Sequence, residues 1–160
     1  MKNRVFIGLG TNLDARFLNL ENAIFYIENE IGELLKKSSV YQTKAWGNTN
    51  QQDFLNQVIE IKTEYNVFEV LEKCLSIEAE LGRIRKEKWG ERLIDIDILY
   101  FNNEIIGEKN LKVPHPFIQD RNFVLVPMVE IAKGYIHPGF NKTNLELLEN
   151  CKDGLEVKKL

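Results

Sequence analysis

Two cysteines in 160 residues are too few for a disulfide scaffold. Cys74 and Cys151 lack the spacing of a zinc site, and Cys74 falls on the apolar face of a helical pattern, as a packed thiol does. No stretch approaches the roughly 20 apolar residues of a membrane span. An excess of positive charge is also missing: the net charge is −3, so nothing draws the whole chain to nucleic acid or an anionic membrane. Repeats, linkers and low-complexity segments are lacking. The start, Met-Lys-Asn-Arg-Val-Phe-Ile-Gly, enters a strand pattern with neither a signal-peptide apolar run nor a cleavage site, so a cytoplasmic protein is expected. What remains is a chain with 44% hydrophobic and 28% charged residues, enough for one domain, residues 1–160, with a sizeable core.

The most informative segment is Trp89-Gly-Glu-Arg-Leu-Ile-Asp-Ile-Asp-Ile-Leu99. β-Branched isoleucines alternate with Asp95 and Asp97, so Ile94, Ile96 and Ile98 face a core and both carboxylates face the other way. At ~3.3 Å rise per residue their Cβ atoms lie roughly 7 Å apart, a spacing suited to one or two hard cations such as Mg²⁺. A merely polar outer face explains the alternation too. Aspartate is nevertheless disfavoured in strands, and two on one face repel, a conflict that a divalent cation removes. Just upstream, Arg83, Arg85, Lys86, Lys88 and Arg92 make a locally positive run around Trp89. It is either a solvated loop or, beside paired acids, a clamp for a triphosphate.

The rest of the chain reads as strand, helix, strand, strand, helix, strand. Arg4–Leu9 is a strand ending in Gly8-Leu9-Gly10-Thr11-Asn12, a run without the third glycine of a dinucleotide fingerprint. Leu20, Ala23, Ile24, Ile27 and Ile31 recur at helical spacing, with Gly32 as the stop. Ser38–Thr43 and Phe54–Thr63 read as extended, separated by a polar loop from Lys44 to Asp53 in which Trp46 is placed to stack on a flat ligand. Val67, Val70, Leu71, Cys74, Ile77 and Leu81 mark a second helix closed by Gly82, and Leu93–Phe101 is the acidic strand. Asn102-Asn103 suggests a hairpin turn into Glu104–Ile106. The prolines of Val113-Pro114-His115-Pro116 require an extended backbone, Phe123–Ala132 is apolar with helical or mixed character, and Asn144–Glu149 is a short helix. This order predicts an α+β, ferredoxin-like sandwich (split βαβ) with an antiparallel-rich sheet and C-terminal additions. The fold alone gives no function.

Lys88–Leu99 matches, at every position, the signature of a basic residue, any residue, Gly, a small or acidic residue, Arg, two residues, Asp, an aliphatic, Asp and two aliphatics. With Leu9-Gly10-Thr11-Asn12, Asp53-Phe54-Leu55-Asn56, Gly82-Arg83-Ile84-Arg85, Val113-Pro114-His115-Pro116 and Arg121–Pro127, the chain resembles the 6-hydroxymethyl-7,8-dihydropterin pyrophosphokinases of folate biosynthesis over essentially its whole length. The resemblance implies transfer of the β,γ-pyrophosphate of ATP to the pterin hydroxymethyl group, with release of AMP. It implies two Mg²⁺ on Asp95 and Asp97, and phosphate contacts from Arg83, Arg92 and His115 with Arg85 and Arg121. Ile98 would border the adenine, and Trp89 would shield the closed site. Asn56, with backbone groups near Thr43 and Trp46, would read the pterin edge, while Phe54 and Phe123 would sandwich its ring and Asp95 would also approach it. Asp97, or the metal on it, is placed to help deprotonate the hydroxymethyl group. The chain departs from the family pattern at Lys44-Ala45, where a proline-rich pair is common, at Phe54, often tyrosine, and at Phe117 and Asn122, where arginines are common. A monomer acting on small molecules is expected. Two rivals share the acidic strand: a two-metal nucleotidyl transferase or cyclase, and a non-catalytic ferredoxin-like binding module.

Overall fold

A computed structural model describes residues 2–44, 51–82 and 93–160, and the backbone of Arg83. The first strand, β1 (Asn3–Thr11), leads into α1 (Arg16–Glu30), β2 (Glu33–Lys37), β3 (Tyr41–Thr43), β4 (Phe54–Thr63), α2 (Val67–Arg83) and β5 (Asp95–Phe101). Then come β6 (Ile106–Gly107), β7 (Lys112–Val113), a 3-10 turn (Ile118–Asp120), α3 (Asn122–Ala132), β8 (Ile136–His137), β9 (Lys142–Thr143), α4 (Asn144–Glu149) and β10 (Lys158–Lys159).

The main sheet runs β10-β3-β4-β1-β5, with β2 sharing the β4 edge, and its pairings are antiparallel. This is the ferredoxin-like order expected from the sequence. One face of the sheet carries Val5, Ile7, Leu9, Leu55, Ile59, Ile61, Ile96 and Ile98, buried beneath α1 and α2. Both helices present the predicted stripe: Leu20, Ala23, Ile27 and Ile31 from the first, Val67, Val70, Cys74, Ile77 and Leu81 from the second. Each leucine, isoleucine or valine among them, once buried, contributes about 1.5–3 kcal/mol. On the opposite face, Phe6, Val58, Leu99 and Tyr100 pack under Leu125 and Met128 of α3 and Leu147 of α4, but only along half the sheet. The other half of that face is left for a site.

Four local expectations are revised. Helix α2 runs through Gly82 to Arg83, since Gly82 does not adopt the left-handed backbone by which a glycine closes a helix. The acidic strand starts at Asp95, later than Leu93. A turn does form after it, with Glu104 N–H donating to the Phe101 carbonyl at 3.1 Å, but Ile106–Gly107 pairs with Lys112–Val113 instead of folding back on β5. Strand β2 is additional: its Glu-Leu-Leu-Lys-Lys sequence is mostly exposed and carries no alternation that marks a strand.

His137 gave no signal in the sequence, yet it is buried in the second apolar layer. Its ring stands edge-on to Tyr100, and Nδ1 accepts the N–H groups of Gly139 (3.0 Å) and Phe140 (3.1 Å). Burial holds its pKa below the ordinary 6.5, with a backbone hydrogen bond opposing. The unfolded chain therefore takes up this proton before the native state does, and stability falls as pH drops below about 6.5. His137→Phe should flatten that part of the wild-type curve of melting temperature against pH. An unchanged slope would show that His137 is not one of the groups responsible.

Candidate active site

Register explains how a cavity opens on the half-covered face. Gly10 of β1 lies between Asp95 of β5 and Asn56 of β4, and Gly8 lies between Asp97 and Val58. Paired residues share a face, so the two glycines leave a bare floor between the acids and the Asn56 amide. A Cβ at Gly10 would come within 3.2 Å of Asn56 Oδ1, and one at Gly8 within 3.4 Å of Leu99 Cδ1. The cavity above has a volume of about 510 Å³, ordinary for a small-molecule site.

Several sequence-predicted residues meet there. Asp95, half-buried, and Asp97, exposed, line one side, while Thr43, Phe54 and Asn56 line another. His115, Arg121 and Phe123 complete the group. Asn56 is buried and donates from Nδ2 to Thr43 Oγ1 at 3.1 Å, which fixes the orientation of its amide. Phe54 follows Asp53, whose carbonyl accepts from Arg16 (2.7 Å) and whose carboxylate accepts from Gln42 (2.7 Å). Thr11 Oγ1 donates to the Leu93 carbonyl at 2.6 Å and in turn accepts from Asn19 Nδ2 at 3.1 Å, pinning the chain as it enters the acidic strand. The Leu9–Asn12 motif thus serves as floor and anchor.

On the roof, His115 N–H donates to the Leu99 carbonyl at 3.0 Å, tying the proline-flanked turn to β5. Its Nδ1 accepts from Phe117 N–H at 3.2 Å, so the neutral ring carries its proton on Nε2 and has that N–H to offer a ligand. Burial lowers the His115 pKa; Asp97 pulls it back up and Arg121 lowers it further. The Arg121 guanidinium lies 4.8 Å from the centre of the Phe117 ring and 5.6 Å from that of Phe123, within cation–π range of both. Phe117, an apparent departure in sequence, therefore steadies this cation.

Ile98 is not brought into the cavity. Its side chain belongs to the core beneath the sheet. Ile96 N–H donates to Glu78 on the outer edge of β5 (2.7 Å), and two residues on Ile98 turns its backbone groups to that same edge. Trp46, Arg85, Trp89, Arg92 and the side chain of Arg83 lie outside the described residues. Sequence reasoning missed Gly8 and Gly10 as a floor, and Asp153 and Leu155, which line the cavity from the C-terminal segment. The glycines become recognisable only once strand register is known.

Among the described residues, no group of three or more His, Cys, Asp or Glu forms a metal cage. The donor set still suits Mg²⁺, which is held by one or two carboxylates while water and substrate phosphates fill its other positions. Asp95 and Asp97 face an open cavity with cationic and N–H groups across from them, an arrangement for a polyanion with its metal.

Comparison with known proteins agrees with this chemistry. The model of the family described as 7,8-dihydro-6-hydroxymethylpterin-pyrophosphokinase matches residues 6–133. The 2-amino-4-hydroxy-6-hydroxymethyldihydropteridine pyrophosphokinase of Aquifex aeolicus is 46% identical over 138 residues, 86% of each chain. The Bacillus subtilis protein of the same name is 43% identical over 134 residues, 83% of this chain and 80% of its own. Among solved structures, Plasmodium falciparum HPPK-DHPS superposes with a TM-score of 0.74 at 21% identity, covering 92% of this chain. This chain spans 43% of that longer polypeptide, and the likeness bears on the fold.

Proposed function

The chain belongs to the 7,8-dihydro-6-hydroxymethylpterin-pyrophosphokinase family, and on that premise we propose that it moves the β,γ-pyrophosphate of ATP to the hydroxymethyl group of 6-hydroxymethyl-7,8-dihydropterin, releasing AMP, in folate synthesis. The observation that carries this reading is one cavity lined by a carboxylate pair, by an oriented amide and by two phenylalanines.

Asn56, fixed by Thr43, reads the hydrogen-bonding edge of the pterin, and Phe54 and Phe123 hold its ring. His115, through Nε2–H, and Arg121 bind phosphoryl oxygens, with Arg83, Arg85 and Arg92 as further phosphate ligands and Trp89 covering the site. Ile98 borders the adenine through its backbone groups, which are directed to the outer edge of β5. Asp95 and Asp97 hold two Mg²⁺, which neutralise triphosphate charge when bound. In-line displacement at the β-phosphorus demands mainly alignment, charge neutralisation and exclusion of water, and these side chains are disposed to supply them. Asp97, or the metal on it, is the candidate to help deprotonate the hydroxymethyl group. We take the monomer as the working unit, and consumption of ATP fits a cytoplasmic setting.

Product analysis tests the reading. Mg-ATP and hydroxymethyl-dihydropterin should give AMP and diphosphorylated pterin in equal amounts. Free pyrophosphate would indicate nucleotidyl transfer or cyclisation instead, and ADP a simple kinase. Asn56→Ala should weaken pterin binding by about 10- to 100-fold, the weight of lost specific hydrogen bonds in a buried site, and leave the affinity for a non-hydrolysable ATP analogue unchanged. Calorimetry with each ligand separately checks both halves.

A further inference from the structure

The cavity has a wall that the family motifs do not include. Burial alternates along the last residues: Cys151, Asp153, Leu155 and Val157 are half-buried, while Lys152, Gly154 and Glu156 are exposed. That is the period of an extended chain laid against the protein. The segment ends as β10, with Lys158 opposite Gln42 and Lys159 opposite Tyr41, and Leu160 N–H donates to the Val40 carbonyl at 3.0 Å. It therefore runs beside β3, the strand that carries Thr43, at the edge of the sheet farthest from the acidic strand.

Midway, Asp153 fastens this tail to α3. Its Oδ2 accepts Asn122 N–H at 3.0 Å, and its carbonyl accepts Asn122 Nδ2 at 2.6 Å. Its Oδ1 accepts Leu155 N–H at 3.0 Å, which sets the chain direction through the next two residues. The residue preceding α3, Arg121, makes no side-chain cap, so a carboxylate from the tail satisfies the first helical N–H instead. Asn122 stands between Arg121 and Phe123, and both of these line the cavity, as do Asp153 and Leu155.

We propose that the C-terminal tail is a working part of the pterin end of the site. Leu155 forms the wall that the bound ring meets, and the Asn122–Asp153 clamp positions Phe123 over it. The inference rests on placing the pterin between Phe54 and Phe123. Its tail residues, Asp153 and Leu155, lie beyond residue 133, where the family-model match ends. Asn122 and Asp153 are positioning residues, acting through Phe123. β3 and Thr43 are the tail's neighbours, which puts Leu155 at the pterin end; Asn122 also adjoins Arg121, so selectivity for the pterin is read from Leu155→Trp.

The test uses the full chain carrying Leu155→Trp, Asn122→Ala, Asp153→Ala or the last two together, with KM measured for each substrate. Leu155→Trp narrows the cavity and should raise the pterin KM about tenfold or more, with ATP KM and kcat within about twofold. Asn122→Ala removes the bond to the Asp153 carbonyl, and Asp153→Ala removes those from the Asn122 and Leu155 N–H groups, so each should shift the pterin KM the same way and the double variant should be worse than either. Calorimetric titration with the pterin alone should show the same loss. An unchanged pterin KM in Leu155→Trp, or equal losses for both substrates, would overturn the proposal. Phe123→Ala separates the two levels. If it binds pterin weakly while the tail variants bind normally, the tail has no such role; if it too binds pterin normally, the pterin is elsewhere and both readings fall.

Discussion

Asp95→Asn and Asp97→Asn should each lower turnover on the order of 10³-fold or more, because each removes a charge that works in the transition state. The change is isosteric, and Asp97 is exposed while Asp95 is half-buried, so the fold has little to lose. Taking one charge from a like-charged pair on a single strand face also relieves repulsion. The melting temperature of the ligand-free variants should then stay close to that of the wild type while AMP release collapses. Mg²⁺-dependent binding of a non-hydrolysable ATP analogue should weaken in parallel. Near-normal turnover in either variant would mean that the acids only solvate a strand face.

The largest effect on stability should come from Gly32→Ala, far from the cavity. Gly32 follows α1, and its N–H donates back to the Ile27 carbonyl at 3.1 Å. Its backbone is outside the left-handed region, so conformation does not require glycine; space does. A Cβ there would lie 2.3 Å from the Lys62 backbone carbonyl oxygen and 3.0 Å from Thr63 Cβ. The obstacle cannot swing aside like a side chain, because Lys62 is in β4, paired with β1 on one side and β2 on the other. Thr63 Oγ1 also donates to the Ile31 carbonyl at 2.6 Å, closing the same junction. Overpacking of this kind costs about 3 kcal/mol, which for a chain of this size lowers the melting temperature by roughly 10 °C. Thermal unfolding measures it, and both KM values at low temperature should stay at wild-type levels. A melting temperature within a degree or two of wild type would show that the junction opens readily.

Legibility in the sequence followed how local the determining physics is. The two helical stripes and the isoleucine–aspartate alternation are set by spacing within one segment, and they stand where periodicity puts them. Gly32 reads as a helix stop for the same local reason, although the constraint itself comes from a strand thirty residues on. Strand β2 escaped because it is exposed and pairs only through the β4 backbone, which leaves no apolar rhythm. The strand after the Asn102 turn pairs with β7 and not β5, a choice that nothing local in the sequence distinguishes.

For the site, residue types and motif matches named the acids, Thr43, Asn56, His115, Arg121 and the two phenylalanines, all of which line the cavity. They could not reveal the glycine floor, which exists only through the pairing of Gly10 with Asp95 and Asn56. Ile98 illustrates the opposite case: a strand residue whose side chain is committed to the core can offer a ligand only its backbone. The Asn122–Asp153 clamp spans thirty-one positions and leaves no trace in either segment alone.

Diffraction at the manganese anomalous edge, from crystals grown with Mn²⁺ in place of Mg²⁺ and a non-hydrolysable ATP analogue, tests the metal-anchoring claim most directly. The account predicts anomalous density against the carboxylates of both Asp95 and Asp97, with the triphosphate on the far side of the ions and His115 and Arg121 on its oxygens. Nucleotide bound in the cavity with both carboxylates bare of metal would contradict it.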